Sequence, residues 1–357
     1  MNRLPAVDGL DLVSQAALSG AALLFVTRPS VMSRVAHSPL IPMARQLARR
    51  AARLRRPLPA PERRTTELAR LVATYAPSAQ SQRSELTRSA GRRVNGSAAL
   101  LAFSVLADSA VEHHRGAFAN RAMYTPLIAA SLTLGASLFG VLDGRARKHV
   151  VRDAIYAVAA ATGLAGLGFH AYNMLKRPGG LCWQNLFYAA PAAAPAALTL
   201  AGVLGRAAER VRDTKPWRAP SVLGLPAGRM LAGIAAAGLA GTVGEAGLLH
   251  FRGAYQDPAM FAPVTVPPVA AALLGTAALR PSRTANRLAR WWLRLTALLG
   301  FAGVGFHAYG VSRNMGGWRN WRQNLLNGPP LPAPPSFIGL ALAGLAALSL
   351  IEEANDG

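Results

Sequence analysis

The sequence is poor in cysteine and in acidic residues. Its 357 residues include one cysteine, Cys182, which excludes an intramolecular disulfide and a zinc site built on several cysteines. Charged residues make up 15% of the chain, whereas soluble domains carry about 25%. Asp and Glu number 16 against 39 Lys and Arg, while 52% of the residues are hydrophobic. The formal net charge of +23 therefore reflects a shortage of acids on an apolar chain, and we expect no nucleic-acid partner.

The sequence also lacks the short motifs of common soluble enzymes. It contains no P-loop, no dinucleotide fingerprint followed by an acid, no Gly-x-Ser-x-Gly and no His-Glu-x-x-His. If the protein takes part in catalysis, we expect it to do so at most as a subunit of a membrane oxidoreductase.

Long apolar stretches dominate the remainder of the chain. A helix needs about 20 predominantly apolar residues to cross a hydrocarbon core, and eight stretches approach or reach that length. They lie at 96–114, 124–142, 153–173, 186–206, 229–250, 261–279, 291–309 and 336–352. None shows the alternation of period two that is typical of strands. The sequence therefore predicts an all-α, polytopic integral membrane protein with about eight transmembrane helices.

Residues 1–95 are predicted to form a basic cytoplasmic arm. Within it, the apolar segment 10–27 contains several polar residues, so it is either an uncleaved anchor helix or an interfacial helix. The segment 43–56 has apolar residues at helical spacing among many arginines, which predicts an amphipathic helix on the anionic inner leaflet of the bilayer. A disordered arm is the alternative.

The distribution of positive charge predicts the orientation of the spans, because short loops rich in Lys and Arg stay in the cytoplasm. The loops at 143–152, 206–218 and 280–294, together with the arm, contain most of the positive residues. We therefore expect the arm and the C-terminus in the cytoplasm and the other four loops outside, in a bacterial-type inner (plasma) membrane.

The sequence repeats itself at a shift of 137 residues. Residues 163–172 read GLAGLGFHAY and residues 300–309 read GFAGVGFHAY; residues 113–126 and 250–263 also match over much of their length. We predict two tandem four-helix repeats, 96–210 and 228–357, joined by a cytoplasmic linker at 211–227. Because each repeat has an even number of spans, the two should have the same orientation in the membrane.

The repeated residues lie at the outward ends of the predicted spans, and they suggest a haem site. Each repeat has two histidines on spans that run in the same direction, which suits bis-histidine ligation of haem b, with no metal expected beyond the haem iron. Arg115 and Arg252 would pair with the propionates. The predicted cofactor-binding residues are His113, His170, His250, His307, Arg115, Arg252, Tyr172 and Tyr309.

A quinone or small-substrate site is the second interpretation of the same clusters. Asp108 and Glu245 precede His113 and His250 by the same spacing, and acids within a membrane are costly and usually functional. A carboxylate beside a histidine would pass protons. The predicted proton or substrate residues are Asp108, Glu245, Gln184, Asn185, Gln323 and Asn324.

The leading functional hypothesis is therefore a membrane subunit of an electron-transfer system, linked to haem b or quinone, that serves an extracytoplasmic redox protein. Two alternatives remain open. One is a parallel-repeat small-molecule transporter or an export or assembly factor. The other is a non-catalytic membrane anchor whose outward clusters only fix the loops.

Overall fold

A computed structural model describes residues 79–143, 145, 147–188 and 192–356. The segments predicted at 10–27 and 43–56 lie outside the described residues. The described part is almost entirely helical, with one short two-stranded antiparallel ribbon, β1 (Ser221–Val222) and β2 (Leu225–Pro226). Its helices are α1 (Ala79–Arg115), α2 (Thr125–Leu142), α3 (Val150–Leu175), α4 (Trp183–Tyr188), α5 (Ala193–Arg212), α6 (Ala227–Arg252), α7 (Ala262–Leu279), α8 (Arg283–Arg313), α9 (Trp321–Asn327) and α10 (Pro335–Asp356).

Seven of the described helices are long and apolar enough to cross a membrane. They are α1, α2, α3, α6, α7, α8 and α10. Each coincides with one of the apolar stretches predicted from the sequence. The chain is thus an all-α protein that is embedded in a membrane through several helices.

The predicted span at 186–206 differs from the helix found there. Residues 183–188 form the separate short helix α4, and the long helix α5 runs from Ala193 to Arg212. The last turns of α5 contain Glu209 and Arg212, and both side chains are buried. Because its last turns contain several charged residues, α5 is not among the seven helices that are apolar enough to cross a membrane. It nevertheless packs against α1 and α3.

Helix α1 begins at Ala79, well before the predicted start of the first span at residue 96. The residues before 96 had been assigned to the basic arm because of their arginines. Ala90, Val94 and Ala98 are buried at intervals of four residues, so one face of α1 stays in the core while the arginines lie on other faces. Residues 79–95 therefore belong to helix α1.

The long helices pack in two similar groups. In the first, α1 packs against α2 and α5, and α3 packs against the same two helices. In the second, α6 and α8 both pack against α7 and α10. The groups meet where α1 contacts α10 and α5 contacts α6. Helix α10 lies deepest, since its Leu340, Ala343 and Ala347 have no solvent exposure.

Candidate functional site

Two of the repeated histidines lie at the ends of α1 and α6. The Nδ1 atom of His113 lies 2.6 Å from the carbonyl oxygen of Met123, and that of His250 lies 2.8 Å from the carbonyl oxygen of Met260. A carbonyl oxygen can only accept a hydrogen bond, so each Nδ1 carries the proton. In a neutral ring of this tautomer the Nε2 atom has a lone pair, as a metal ligand or a proton acceptor requires.

The turns that hold these two histidines have the same construction. A short 3₁₀ turn follows each helix, capped by the side chain of Asn120 in one case and of Asp257 in the other. Phe118 stacks on Tyr124 with ring centroids 4.4 Å apart. The corresponding pair in the second turn, Tyr255 and Phe261, has centroids 4.5 Å apart. We call the end of the bundle where these turns lie the His end.

The other two histidines lie near the ends of α3 and α8. The Nδ1 atom of His307 is 2.7 Å from the carbonyl oxygen of Pro330, so this ring has the same protonation pattern as His113 and His250. His307 and His250 are close enough for their charges to interact. His170 occupies the corresponding position on α3 and is half-buried. The structure therefore places both histidines of the second group of helices at the His end.

The two arginines that were predicted to pair with haem propionates, Arg115 and Arg252, contact side chains of this chain. Arg115 forms an ion pair with Glu112 one turn before it on α1. The guanidinium of Arg252 lies over the ring of Phe187 at 5.3 Å, and its buried Nε has no hydrogen-bond partner. Because Phe187 belongs to α4, this contact joins the two groups of helices at the His end.

The two predicted tyrosines face outward. Tyr172 and Tyr309 are 63% and 60% exposed. A cation covers each ring, the Lys176 amine at 5.3 Å and the Arg313 guanidinium at 5.7 Å. This position suits an aromatic belt at the membrane surface and places both hydroxyls outside the helix-packing interior.

The amide groups predicted for substrate binding divide into two kinds. The Asn185 side chain donates to the carbonyls of Pro178 and Gly180 at 3.0 and 2.8 Å. Asn324 donates to Met315 and Gly317 at 3.2 and 2.8 Å. Each asparagine side chain therefore stabilises its own turn, and each turn contains two glycines with positive φ. The neighbouring Gln184 and Gln323 are exposed.

The carboxylates of Asp108 and Glu245 belong to different groups of helices. Asp108 lies on α1 and Glu245 on α6, and both are half-buried. The charges of Glu112 and Glu245 act on Asp108. This electrostatic interaction between the two groups of helices is not apparent from the sequence.

A second concentration of charge lies at the opposite end of the bundle, where α2 and α5 end and α3 begins; we call it the Arg-rich end. Arg152 and Arg212 had been counted there as loop charges, yet their side chains are only 6% and 1% exposed. Both contact Glu209. One residue in the sequence would have indicated this cluster. Glu209 is an acid beside an apolar span, and its counterpart in the second repeat is Leu348.

Nearby, Asp143 accepts hydrogen bonds from the backbone N–H of Arg145 at 3.1 Å and from Arg152 at 3.3 Å. Burial opposes ionisation of this carboxyl, but the hydrogen bond and the charges on Arg152 and His149 outweigh it and hold its pKa below the usual value. Asp143 is therefore a carboxylate at neutral pH.

Among the described residues, no three or more His, Cys, Asp and Glu side chains are grouped so as to hold a metal ion. No protein-family model, curated protein or solved structure matches the chain. The fold and the sites define an all-α membrane protein with a histidine-bearing end and an oppositely placed cluster of buried charges.

Proposed function

We propose that the protein is a membrane subunit of an electron-transfer system that binds haem b or a quinone at its His end and serves a redox protein on that side. The observation that carries the proposal is the pair His250 and His307. In each ring Nδ1 donates its proton to a backbone carbonyl, and the charge of His250 acts on His307.

The donor chemistry of these histidines fits a haem that would be held by histidine. A metal-bound histidine normally donates its other ring N–H to a carbonyl or carboxylate, which fixes the tautomer and the ring orientation. His250 and His307 would hold the group in the second group of helices, and His113 and His170 in the first. When bound, haem would supply a one-electron carrier. The residues of this chain would position it and shield it within the helices.

We also propose that the two groups of helices are tandem repeats of four spans each, with α5 as the eighth span. The matched contacts of His113 and His250, the matched caps at Asn120 and Asp257, and the matched helix pairings support this proposal. The Arg-rich end would face the cytoplasm of a bacterial-type inner membrane, because positive loops stay on that side.

The experiment is an optical spectrum of the full-length protein, purified in detergent before and after reduction. We expect a Soret band that His250→Ala with His307→Ala reduces by about half, since two equivalent sites contribute absorbance. His114→Ala is the matched control, because His114 is an exposed neighbour of His113 whose counterpart is Phe251. The absence of a Soret band, together with undiminished partner-dependent quinone reduction in His170→Ala with His307→Ala, would contradict the proposal.

A transporter is the second candidate, supported by the electrostatic interaction of Glu245 with Asp108. Substrate sites of parallel-repeat transporters lie where the repeats meet, and these acids come from both groups of helices. Uptake into vesicles that is lost in Asp108→Asn and Glu245→Gln, but kept in Glu85→Gln on the exposed start of α1, would favour this candidate.

A further inference from the structure

A groove lined by apolar side chains lies between α2 and α3. Its volume is about 340 Å³, in the range of ligand pockets. Val151 and Val158 are 72% and 56% exposed, so the groove opens on the outer surface of these two membrane-crossing helices. The lining residues are Ala129 and Leu132 from α2 and Val150, Val151, Ala154, Ile155 and Val158 from α3. The groove therefore offers a ligand no hydrogen-bonding side chain.

The dimensions of the groove suit an extended hydrocarbon chain. Val150 and Val158 are eight residues apart on α3, so the groove follows this helix for about 12 Å. Spread over that length, its volume gives a mean cross-section of roughly 28 Å². A helix with its side chains is about 10–12 Å across and would need about three times that area. The groove is therefore too narrow to take a helix of a partner protein, whereas an acyl chain fits.

The groove begins at the Arg-rich end, next to three positive residues. Arg145, Arg147 and Lys148 are exposed and come shortly before the first residue of α3, Val150. Consecutive Cα atoms are about 3.8 Å apart, so the Cα atoms of Lys148 and Arg147 lie within about 8 and 11 Å of the Cα atom of Val150. Their long side chains extend the reach of the charges further. A ligand that occupies the groove therefore has these cations beside its outer end.

The neighbouring acids do not neutralise these three cations. Asp143 and Glu209 both contact Arg152 inside the bundle, at 3.3 and 2.8 Å. Asp153, on the first turn of α3, offsets one of the three positive charges, which leaves two. The mouth of the groove therefore has an excess of positive charge that is open to an anion.

The matching positions of the second group of helices carry bulkier side chains. At the shift of 137 residues, Ala154 and Ile155 correspond to Trp291 and Trp292. Trp292 packs against the apolar core, and α8 is in closer contact with α7 than α3 is with α2. The same pairing of helices therefore forms without small residues at these positions, and the packing of the helices does not require the groove.

The three cations beside the groove also have different counterparts. At the same shift they correspond to the uncharged residues Ser282, Thr284 and Ala285. The second loop does contain arginines, but at other positions, and one of them, Arg287, replaces Val150 at the mouth of the groove. The small apolar lining and the three cations thus occur together in one copy and are replaced together in the other, as expected for parts of one binding site.

We propose that this groove binds one anionic phospholipid, with an acyl chain along α3 and the phosphate beside Arg145, Arg147 and Lys148. Positive side chains at the membrane surface attract acidic headgroups, and basic pockets beside transmembrane helices bind them specifically. The groove would hold the acyl chain of any phospholipid, so the cations provide the selectivity. The site lies at the end of the bundle opposite the repeated histidines and does not depend on the proposed electron-transfer function.

The first test compares two phospholipids on the full-length protein, delipidated in detergent and titrated under native mass spectrometry. We expect the first molecule of phosphatidylglycerol to bind about tenfold more tightly than the first molecule of phosphatidylcholine, because its net negative charge meets the excess cations. Arg145→Gln with Arg147→Gln and Lys148→Gln should abolish this preference.

The matched control removes the same charge from the other end of the bundle. Arg121→Gln with Arg319→Gln and Arg322→Gln changes three exposed arginines at the His end and should keep the preference for phosphatidylglycerol. Equal losses in the two triple variants would indicate attraction by overall charge and would overturn the proposal.

The second test fills the groove. Ala154→Trp introduces the side chain that the second copy has at the matching position, and Ala154 is exposed, so the fold can accommodate the change. We expect it to weaken the first binding of both phospholipids several-fold, because the indole occupies the place of the acyl chain. The control is Ala240→Trp, in a second apolar groove between α6 and α7, which should leave this binding unchanged.

The comparison of the two phospholipids on the wild type does not depend on the folding of any variant. Equal affinity for phosphatidylglycerol and phosphatidylcholine would overturn the proposal. Phosphatidylglycerol binding that inorganic phosphate displaces and that Ala154→Trp leaves intact would place an anion on the loop alone, and it would also overturn the proposal.

Discussion

At the scale of single residues, the sequence marks side chains that a repeat preserves and misses those that only one copy contains. The four histidines could be predicted because the same motif surrounds each pair at one shift. The buried charges at the Arg-rich end could not be predicted in this way, because Asp143, Arg152 and Glu209 are far apart in sequence. Each of them resembles an ordinary loop charge. Burial is a property of the packed helices, and composition does not reveal which of many arginines is enclosed.

The glycines of the repeated motif differ in how closely other atoms surround them. We expect Gly163→Ala to destabilise the protein by about 1–3 kcal/mol, the usual cost of overpacking, because its Cβ would lie 2.5 Å from the carbonyl of Pro195 and would also clash with Thr199 Oγ1. Gly168→Ala, five residues further in the same motif, has open space around the new Cβ. It should leave stability unchanged or raise it by up to about 1 kcal/mol in thermal unfolding in detergent, because alanine favours a helix interior over glycine. Equal effects would refute a packing role for Gly163.

At the scale of elements, hydropathy predicted where helices exist better than where they begin and end. Helix α1 extends back to Ala79 because an apolar face continues beneath its arginines, and α5 extends forward to Arg212 because Glu209 and Arg152 neutralise its charged end. Each boundary depends on partners on other helices. A window of apolar residues in one helix contains no information about those partners.

The turns at the His end contain backbone conformations that their sequences do not favour. Ala117 has φ +52° and Phe118 φ +47°, with Ala254 and Tyr255 nearly the same, whereas L-residues pay roughly 1–2 kcal/mol in the left-handed region. The hydrogen bonds and ring stacking of the turn compensate for that cost.

We therefore predict that Ala117→Gly stabilises the protein by about 0.5–1 kcal/mol, since glycine adopts this φ freely but loses more entropy on folding. Ala119→Gly, in the same turn but without a positive φ, is the control and should be neutral or destabilising. The measurement is the melting temperature of the full chain in detergent. Stabilisation by both changes would indicate a general effect of glycine in the turn rather than relief at Ala117.

At the scale of the whole molecule, the His end and the Arg-rich end differ in their chemistry. Histidines, exposed tyrosines and half-buried carboxylates lie at one end, and the buried charges lie at the other. The alternation of long helices and the distribution of Lys and Arg made this polarity predictable from the sequence, whereas the electrostatic interaction of Glu245 with Asp108 depends on the packing of the two groups of helices. An electron-transfer or transport role would use both ends only if they face different compartments.

The single cysteine allows a direct measurement of that orientation. Cys182 is a free thiol at the His end, partly exposed between α3 and α4. If the Arg-rich end is cytoplasmic, a membrane-impermeant maleimide added to intact spheroplasts should label the wild type. Cys182→Ser should abolish that labelling, and Cys182→Ser with Ala219→Cys, which places the thiol on an exposed residue at the Arg-rich end, should be labelled only after permeabilisation. The reverse pattern would invert the topology and would place the histidines toward the cytoplasm, where an extracytoplasmic redox partner could not reach them.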